Sequence, residues 1–234
     1  MQYMVIIIIS IITLIVLKFA FGIKIKNINK IKKIGNDKKF NNIACKLPNN
    51  KIICETILKM VDNDSIKIDV VEDQDKSLTY YSVISNSIII TNIKDTFTRV
   101  QTIAHECLHS IQNRRLLLFN FIFSNIYLIY FIIVCILSIL KIIELSTLQV
   151  FIVFLMGMIF YFVRSYLETD AMTKAKYLAE MYMKGSNIIS DDEIKVLVDG
   201  YEKLNKIGIP MTNFLLFCKV IIKVIILSII GVIT

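Results

Sequence analysis

Four stretches of the chain are almost free of polar positions, and the segments between them carry shorter apolar rhythms. Tyr3 to Gly22 holds one charge, Lys18, and Leu116 to Leu140 holds none. Thr147 to Leu167 holds only Arg164, and Asn213 to Thr234 holds Lys219 and Lys223. Each run is about twenty residues or more, enough for a helix rising 1.5 Å per residue to cross a hydrocarbon core of about 30 Å. The pattern predicts an amino-terminal anchor in 1–23, a transmembrane hairpin in 116–167 and a last span in 212–234. The first run lacks the basic start and small-residue cleavage site of a signal peptide, so a retained anchor is expected. The two lysines of the last run leave three spans as the alternative to four.

The intervening segments read differently. Residues 24–48 are rich in Lys and Asn without a clear period, which suggests a juxtamembrane connector. Asn49 or Asn50 can cap a short helix carrying Ile52, Ile53, Ile57, Leu58 and Val61. Ile66 to Val71 alternates as a strand does, and Glu72, Asp73 and Asp75 mark a solvated loop. Tyr80–Ile84 and Ser87–Thr91 flank Ser85-Asn86, a tight hairpin. Asp95 or Thr96 then caps a helix whose buried side holds Phe97, Val100, Ile103, Ala104, Leu108 and Ile111. Residues 24–115 thus form a small α+β region whose strand edge can hold an extended peptide by strand addition. In 168–211 a helix continues through Glu168, Ala171, Ala175, Leu178 and Met181 until Gly185. Ser190 with Glu193 forms a capping box opening a helix to about Leu204, and Pro210 separates it from the last span.

Composition agrees with a membrane protein: 56% of residues are hydrophobic and mean hydropathy is +0.66. The net charge of +8 is placed unevenly. Lys24, Lys26, Lys30, Lys32, Lys33, Lys38 and Lys39 follow the first span, Arg114 and Arg115 precede the second, and Arg164 and Lys174 mark the end of the third. The positive-inside rule places 24–115 and 168–211 in the cytosol and both termini outside. Beside a span, a basic stretch is explained by anionic membrane lipid, and no nucleic-acid partner is expected. The five cysteines show no paired metal-ligand spacing. Cys107 projects away from the face of its neighbouring histidines and is expected to pack.

Candidate chemistry lies in Ala-His-Glu-Cys-Leu-His. Its His105 and His109 are the chain's 2 histidines. On a helix they share one face, one turn apart, and can share a metal ion. Glu106 stands where a metalloprotease keeps its general base. The plainer alternative is an amphipathic helix whose histidines merely pack. Catalytic zinc usually takes three protein ligands. The extended motif with a third histidine is excluded, because its glycine and histidine positions are Gln112 and Arg115. Glu168 and Asp170 lie where the third span re-emerges on the side of His109, and either can complete the set. They cannot both face one site, since two residues subtend about 200° on a helix. From the hairpin loop, His109 is about 34 residues away and Glu168 about 25, a mismatch of about 13 Å in straight helices. The histidine helix must therefore bend near Asn113 to Leu116. Arg164 or Tyr166 can steady an oxyanion.

These pieces, in order, resemble the membrane-anchored neutral zinc metallopeptidases of the bacterial YugP type. The likeness rests on Ile-Lys-Ile-Asp-Val, the hairpin with Ser-Ile-Ile-Ile-Thr, Ala-His-Glu-Cys-Leu-His-Ser-Ile-Gln (104–112), two spans and Glu-Thr-Asp-Ala (168–171). Where that family usually has glycine and alanine around the second histidine, this chain has Leu108 and Ser110. The resemblance implies a zincin-like α+β domain with one Zn2+ per chain held by His105, His109 and Glu168, and Glu106 as catalytic base. It also implies hydrolysis of peptide bonds in membrane-associated proteins or peptides, in a multi-pass cell-membrane protein with its active site on the cytosolic side. The alternatives are a catalytically silent zinc-binding membrane protein and a non-enzymatic structural or transport subunit.

Overall fold

The computed structural model describes residues 1–71, 79–91 and 96–234. It is mostly helical: α1 Gln2–Ala20, α2 Ile25–Gly35, α3 Lys38–Ala44, α4 Asn50–Met60, α5 Arg99–Ile111, α6 Arg114–Ile139, α7 Thr147–Ser186 and α8 Asp191–Ile233. The strands β1 Lys67–Val71, β2 Tyr80–Ser82 and β3 Ser87–Thr91 make one sheet in the order β1-β3-β2. Among the described residues, α1, α6, α7 and α8 are the 4 helices long and apolar enough to cross a membrane. The chain divides into two compact units.

One unit comprises 1–23, 119–166 and 210–234. Its core is built from Tyr127 and Val134 of α6, Val150 and Val153 of α7, and Val224 and Leu227 of α8. Close approach there depends on Gly157. A Cβ at that position would collide with Val220 Cγ1 and stand 2.7 Å from the Tyr127 hydroxyl. Such small residues let spanning helices meet backbone to backbone. The Tyr3 hydroxyl donates to the Leu145 carbonyl. Ile8, Ile9 and Ile12 of α1 and Ile122, Ile129 and Ile133 of α6 stay exposed. A hydrocarbon solvent accepts such faces, whereas water does not.

The other unit comprises 24–118 and 167–209. β3 lies centrally, parallel to β1 and antiparallel to β2, with Ser82 opposite Ser87. α4 packs on α5 and β1, and α5 packs on β2 and β3. Ile53, Ile57 and Leu58 of α4 meet Ile88 and Ile90 of β3 and Val100, Ile103, Ala104 and Cys107 of α5. Each such aliphatic side chain contributes roughly 1.5–3 kcal/mol by leaving water. Ala171, Ala175 and Ala179 of α7, at a spacing of four, join the same core with Leu197 and Tyr201 of α8. Arg99, 1% exposed, ties the amino-terminal end of α5 to this core. Its guanidinium donates to the carbonyls of Ala44 (2.9 Å), Leu47 (2.6 Å) and Pro48 (2.8 Å) and to Asn50 Oδ1 (3.1 Å). Ala44 ends α3, where a helix concentrates partial negative charge, and Leu47 and Pro48 follow in the connection to α4.

Several local readings need correction. Residues 24–48, read as a connector without a clear period, carry α2 and α3, the latter capped by Asp37, whose side chain accepts from Lys39 N. The first hairpin strand stops at Ser82, so the loop is Val83 to Asn86, closed by Asn86 at φ 50°. Ile111 is exposed rather than buried. Thr98, with no side-chain cap bond, precedes α5 in place of Thr96, and Asp95 lies outside the described residues with Glu72, Asp73 and Asp75. Gly185 does not end α7, because the left-handed position falls at Asn187, φ 50°. Pro210 sits inside an unbroken α8. A proline costs one helical bond and is tolerated where the flanking turns are held by packing. Asn49 does cap α4, accepting from Ile52 N at 2.9 Å. Ser190 and Glu193 form the expected reciprocal box, at 3.1 and 3.3 Å.

Candidate metal centre

α5 places His105 and His109 one turn apart, with their Nε2 atoms 3.0 Å from each other and the rings nearly perpendicular at 86°. The helix then ends. Gln112 is extended (φ −65°, ψ 163°), and Asn113 Oδ1 accepts from Arg115 N and Leu116 N to open α6. The expected bend is thus a break at Gln112–Asn113, at the near edge of the stretch proposed for it. The reason is local: Asn113 offers a better partner to the first amides of α6 than a continuing helix would.

α7 supplies Glu168. Its Oε2 is 3.4 Å from His105 Nε2 and its Oε1 3.7 Å from His109 Nε2. All three residues offer a ligand atom within 4.8 Å of the others, and together they can hold a metal ion. Tetrahedral ligands at bond lengths of about 2.0–2.2 Å stand about 3.3 Å apart, and the separations here, 3.0 Å between the imidazoles and 3.4 and 3.7 Å from them to the two carboxylate oxygens, are near that spacing. Two imidazoles and a carboxylate, all largely withdrawn from water, also suit such an ion chemically.

Glu106 is 8% exposed, and its Oε1 lies 3.9 Å from His105 Nε2. Its Oε2 accepts the Tyr81 backbone N–H at 2.8 Å. Tyr81 sits on the edge strand β2, so the sheet edge reaches the acid of the motif directly. The Tyr81 hydroxyl, which donates to Asn86 Oδ1 at 2.8 Å, titrates above the ordinary tyrosine range because of burial, opposed by the Arg114 charge.

A second ring of contacts orients the ligands. His109 Nδ1 lies 2.8 Å from Gln112 Oε1, while Gln112 Nε2 donates to the Leu167 carbonyl (2.9 Å) and to Asp170 Oδ2 (3.0 Å). With Gln112 accepting, His109 Nδ1 carries the hydrogen and Nε2 presents its lone pair to the cluster. Of the two acids left open by spacing, Glu168 joins the histidines. Asp170 points to Gln112 and to Lys174, 2.5 Å away, and needs no helix distortion to do so. Cys107 packs as expected: its Sγ lies 3.8 Å from that of buried Cys54. The contact with Cys54 and burial push its thiol well above the ordinary range. Arg164 and Tyr166 belong to the unit that does not contain the ligands.

Reasoning from sequence passed over Gln112 as a partner, though it stands one turn after His109 on the same face. It also missed Arg99, whose spacing to Ile103 put a charge on the buried face, and the Tyr81 N–H, a backbone group that no side-chain pattern signals. Comparison of the chain with models of known families, with characterised proteins and with solved structures finds no match.

Proposed function

We propose that the chain is a membrane-embedded zinc metallopeptidase with a zincin-like domain, cleaving membrane-associated proteins or peptides. The observation that carries this reading is the meeting of His105, His109 and Glu168 beside Glu106. Bound there, zinc would supply a Lewis acid that polarises a scissile carbonyl and lowers the pKa of water towards 7. Glu106 takes the proton of the attacking water and returns it to the leaving amine. The Tyr81 N–H holds one oxygen of that carboxylate and so fixes its orientation. Gln112 keeps His109 in the tautomer that can ligate. The resemblance to YugP-type peptidases in 104–112 and 168–171 supports the same assignment.

The excess of lysine after α1 supports a site on the cytosolic side, where juxtamembrane segments and hydrophobic peptides are the accessible substrates. Lys223 is the best argument for a transport subunit. Its Nζ lies 3.7 Å from the centre of the Tyr127 ring, which gives that charge a partner within its own unit.

The test is metal content of the full chain in lipid nanodiscs, purified without chelators, wild type beside Glu168→Ala. About one zinc per chain in the wild type and little in the variant is expected for a three-ligand site. A metal-free wild type would remove the reading.

A further inference from the structure

A cavity of about 410 Å³ adjoins the candidate metal centre. His105 and Glu168 form one part of its boundary, and Ile31 of α2, Met172 of α7, and Leu204 and Gly208 of α8 form much of the rest. Its size falls within the range of about 300–1,000 Å³ typical of small-ligand sites.

Of the polar groups on its wall, which include Thr98 and Thr102, the two amides are engaged. Gln101 Nε2 donates to Asn205 Oδ1 at 2.8 Å, and Asn205 Nδ2 donates to the Met172 carbonyl at 3.1 Å. What remains for an occupant is mostly apolar surface. Gly208 keeps the space open: it lies within α8, where glycine costs about 1 kcal/mol relative to alanine. A Cβ there would be in ordinary contact with Met172 Cε at 3.5 Å, so alanine fits and anything longer enters the cavity.

We propose that this cavity receives a large apolar side chain of the substrate beside the scissile bond, with Ile31, Leu204 and Gly208 setting its size. The inference rests on the metallopeptidase reading and names the substrate feature which that reading leaves open. An apolar group gains about 25 cal/mol for each Å² it withdraws from water here. The position against two of the three ligands favours a side chain on the reacting peptide over a free acyl chain.

The test uses the full chain in nanodiscs, loaded with Co2+ in place of zinc, and hydroxamates bearing a methyl, an isobutyl or a benzyl group. Cobalt absorption and calorimetry read binding without turnover. The isobutyl and benzyl compounds are expected to bind at least tenfold more tightly than the methyl compound. Gly208→Leu should abolish that gain, and Gly208→Ala should keep it. Ile31→Asp, on a half-exposed helix face that tolerates substitution, should reduce the gain independently. Equal affinity for all three compounds in the wild type would overturn the proposal while leaving the metal centre intact. Isobutyl binding that persists in Glu168→Ala without cobalt would assign the cavity to a free apolar chain and overturn it too. Absence of any cobalt signal would remove the metal centre and the proposal together.

Discussion

Gln112 Oε1 lies 2.8 Å from His109 Nδ1, and the same side chain donates through Nε2 to the Leu167 carbonyl and Asp170. One amide therefore joins the end of α5 to the turn of α7 that carries Glu168. Losing such a contact lowers metal affinity by about 10- to 100-fold. Gln112→Ala is expected to show a loss of that order in zinc competition against a chelator, with the helical content unchanged. Gln112→Glu keeps an acceptor for His109 but sets a carboxylate oxygen against the Leu167 carbonyl and Asp170, so it should not restore the affinity. Equal affinity in Gln112→Ala and wild type would show that the packing of α5 alone orients the ring.

Asp170 reaches the ligands only through Gln112, and it also pairs with exposed Lys174. Asp170→Asn keeps an acceptor for Gln112 and should bind zinc within a few-fold of wild type, whereas Glu168→Ala should not hold it. Chelator competition on the two variants side by side separates them. A greater loss in Asp170→Asn would exchange the roles given to the two acids.

What could be read in advance was local. His105 and His109 at a spacing of four, Asn49 before α4, and the Ser190–Glu193 box each act within a turn, so a short stretch of sequence contains the whole interaction. α2 was missed for a geometric reason. Ile25, Ile28, Ile31 and Ile34 do give the helix an apolar side, but they repeat every three residues over a short segment dense in Lys and Asn, so the row drifts around the axis and reads as no clear period. Ile25 is accordingly exposed while Ile34 packs on the core. The choice between Glu168 and Asp170 needed the break after α5. That break depends on Asn113 competing for the first amides of α6, a balance between two local structures. The Tyr81 N–H to Glu106 contact joins residues 25 apart through the sheet edge. Nothing in the strand's alternation announces which edge amide will meet an acid.

Glu106 contributes no atom to the three-ligand cluster, although it stands beside it. Glu106→Gln should therefore retain metal at wild-type stoichiometry. Loss of a general base lowers turnover by about 10²–10⁴-fold. A peptide-cleavage assay on metal-loaded protein, with elemental analysis of the same sample, checks both halves. Turnover equal to wild type would show that Glu106 is not the base.

Within the unit of spanning helices, Gly157 of α7 lies against Val220 of α8 and the Tyr127 hydroxyl of α6. Unlike Gly208, it leaves no room even for a methyl group. Gly157→Ala should force the neighbours apart, and overpacking of this kind costs about 1–3 kcal/mol. Unfolding by a graded increase of denaturing detergent is expected to start at a lower fraction of detergent than in wild type. Met4→Ala, on an exposed face of α1, serves as the control and should unfold as wild type does.

Arg99 tests whether the metal helix is held from its far end. Four acceptors meet one guanidinium that is 1% exposed, so Arg99→Met leaves the carbonyls of Leu47 and Pro48 without this donor, while that of Ala44 keeps the Leu47 N–H at 3.2 Å. Each buried group left unsatisfied costs about 1–3 kcal/mol, and part of this is recovered if water enters. A net loss of about 2–4 kcal/mol is therefore expected, seen as faster amide exchange in α3, α4 and the first turns of α5. Arg99→Lys should rescue little, because one ammonium cannot reach acceptors spread across a planar fork. Zinc binding supplies the discriminating readout. His105 and His109 lie in the later turns of α5 and are fixed there by Gln112 and Glu168. Metal bound to the native state should restore part of the lost stability, in proportion to the logarithm of its free concentration. Zinc affinity equal to wild type in Arg99→Met, beside the expected loss of stability, would show that the two ends of α5 are not coupled.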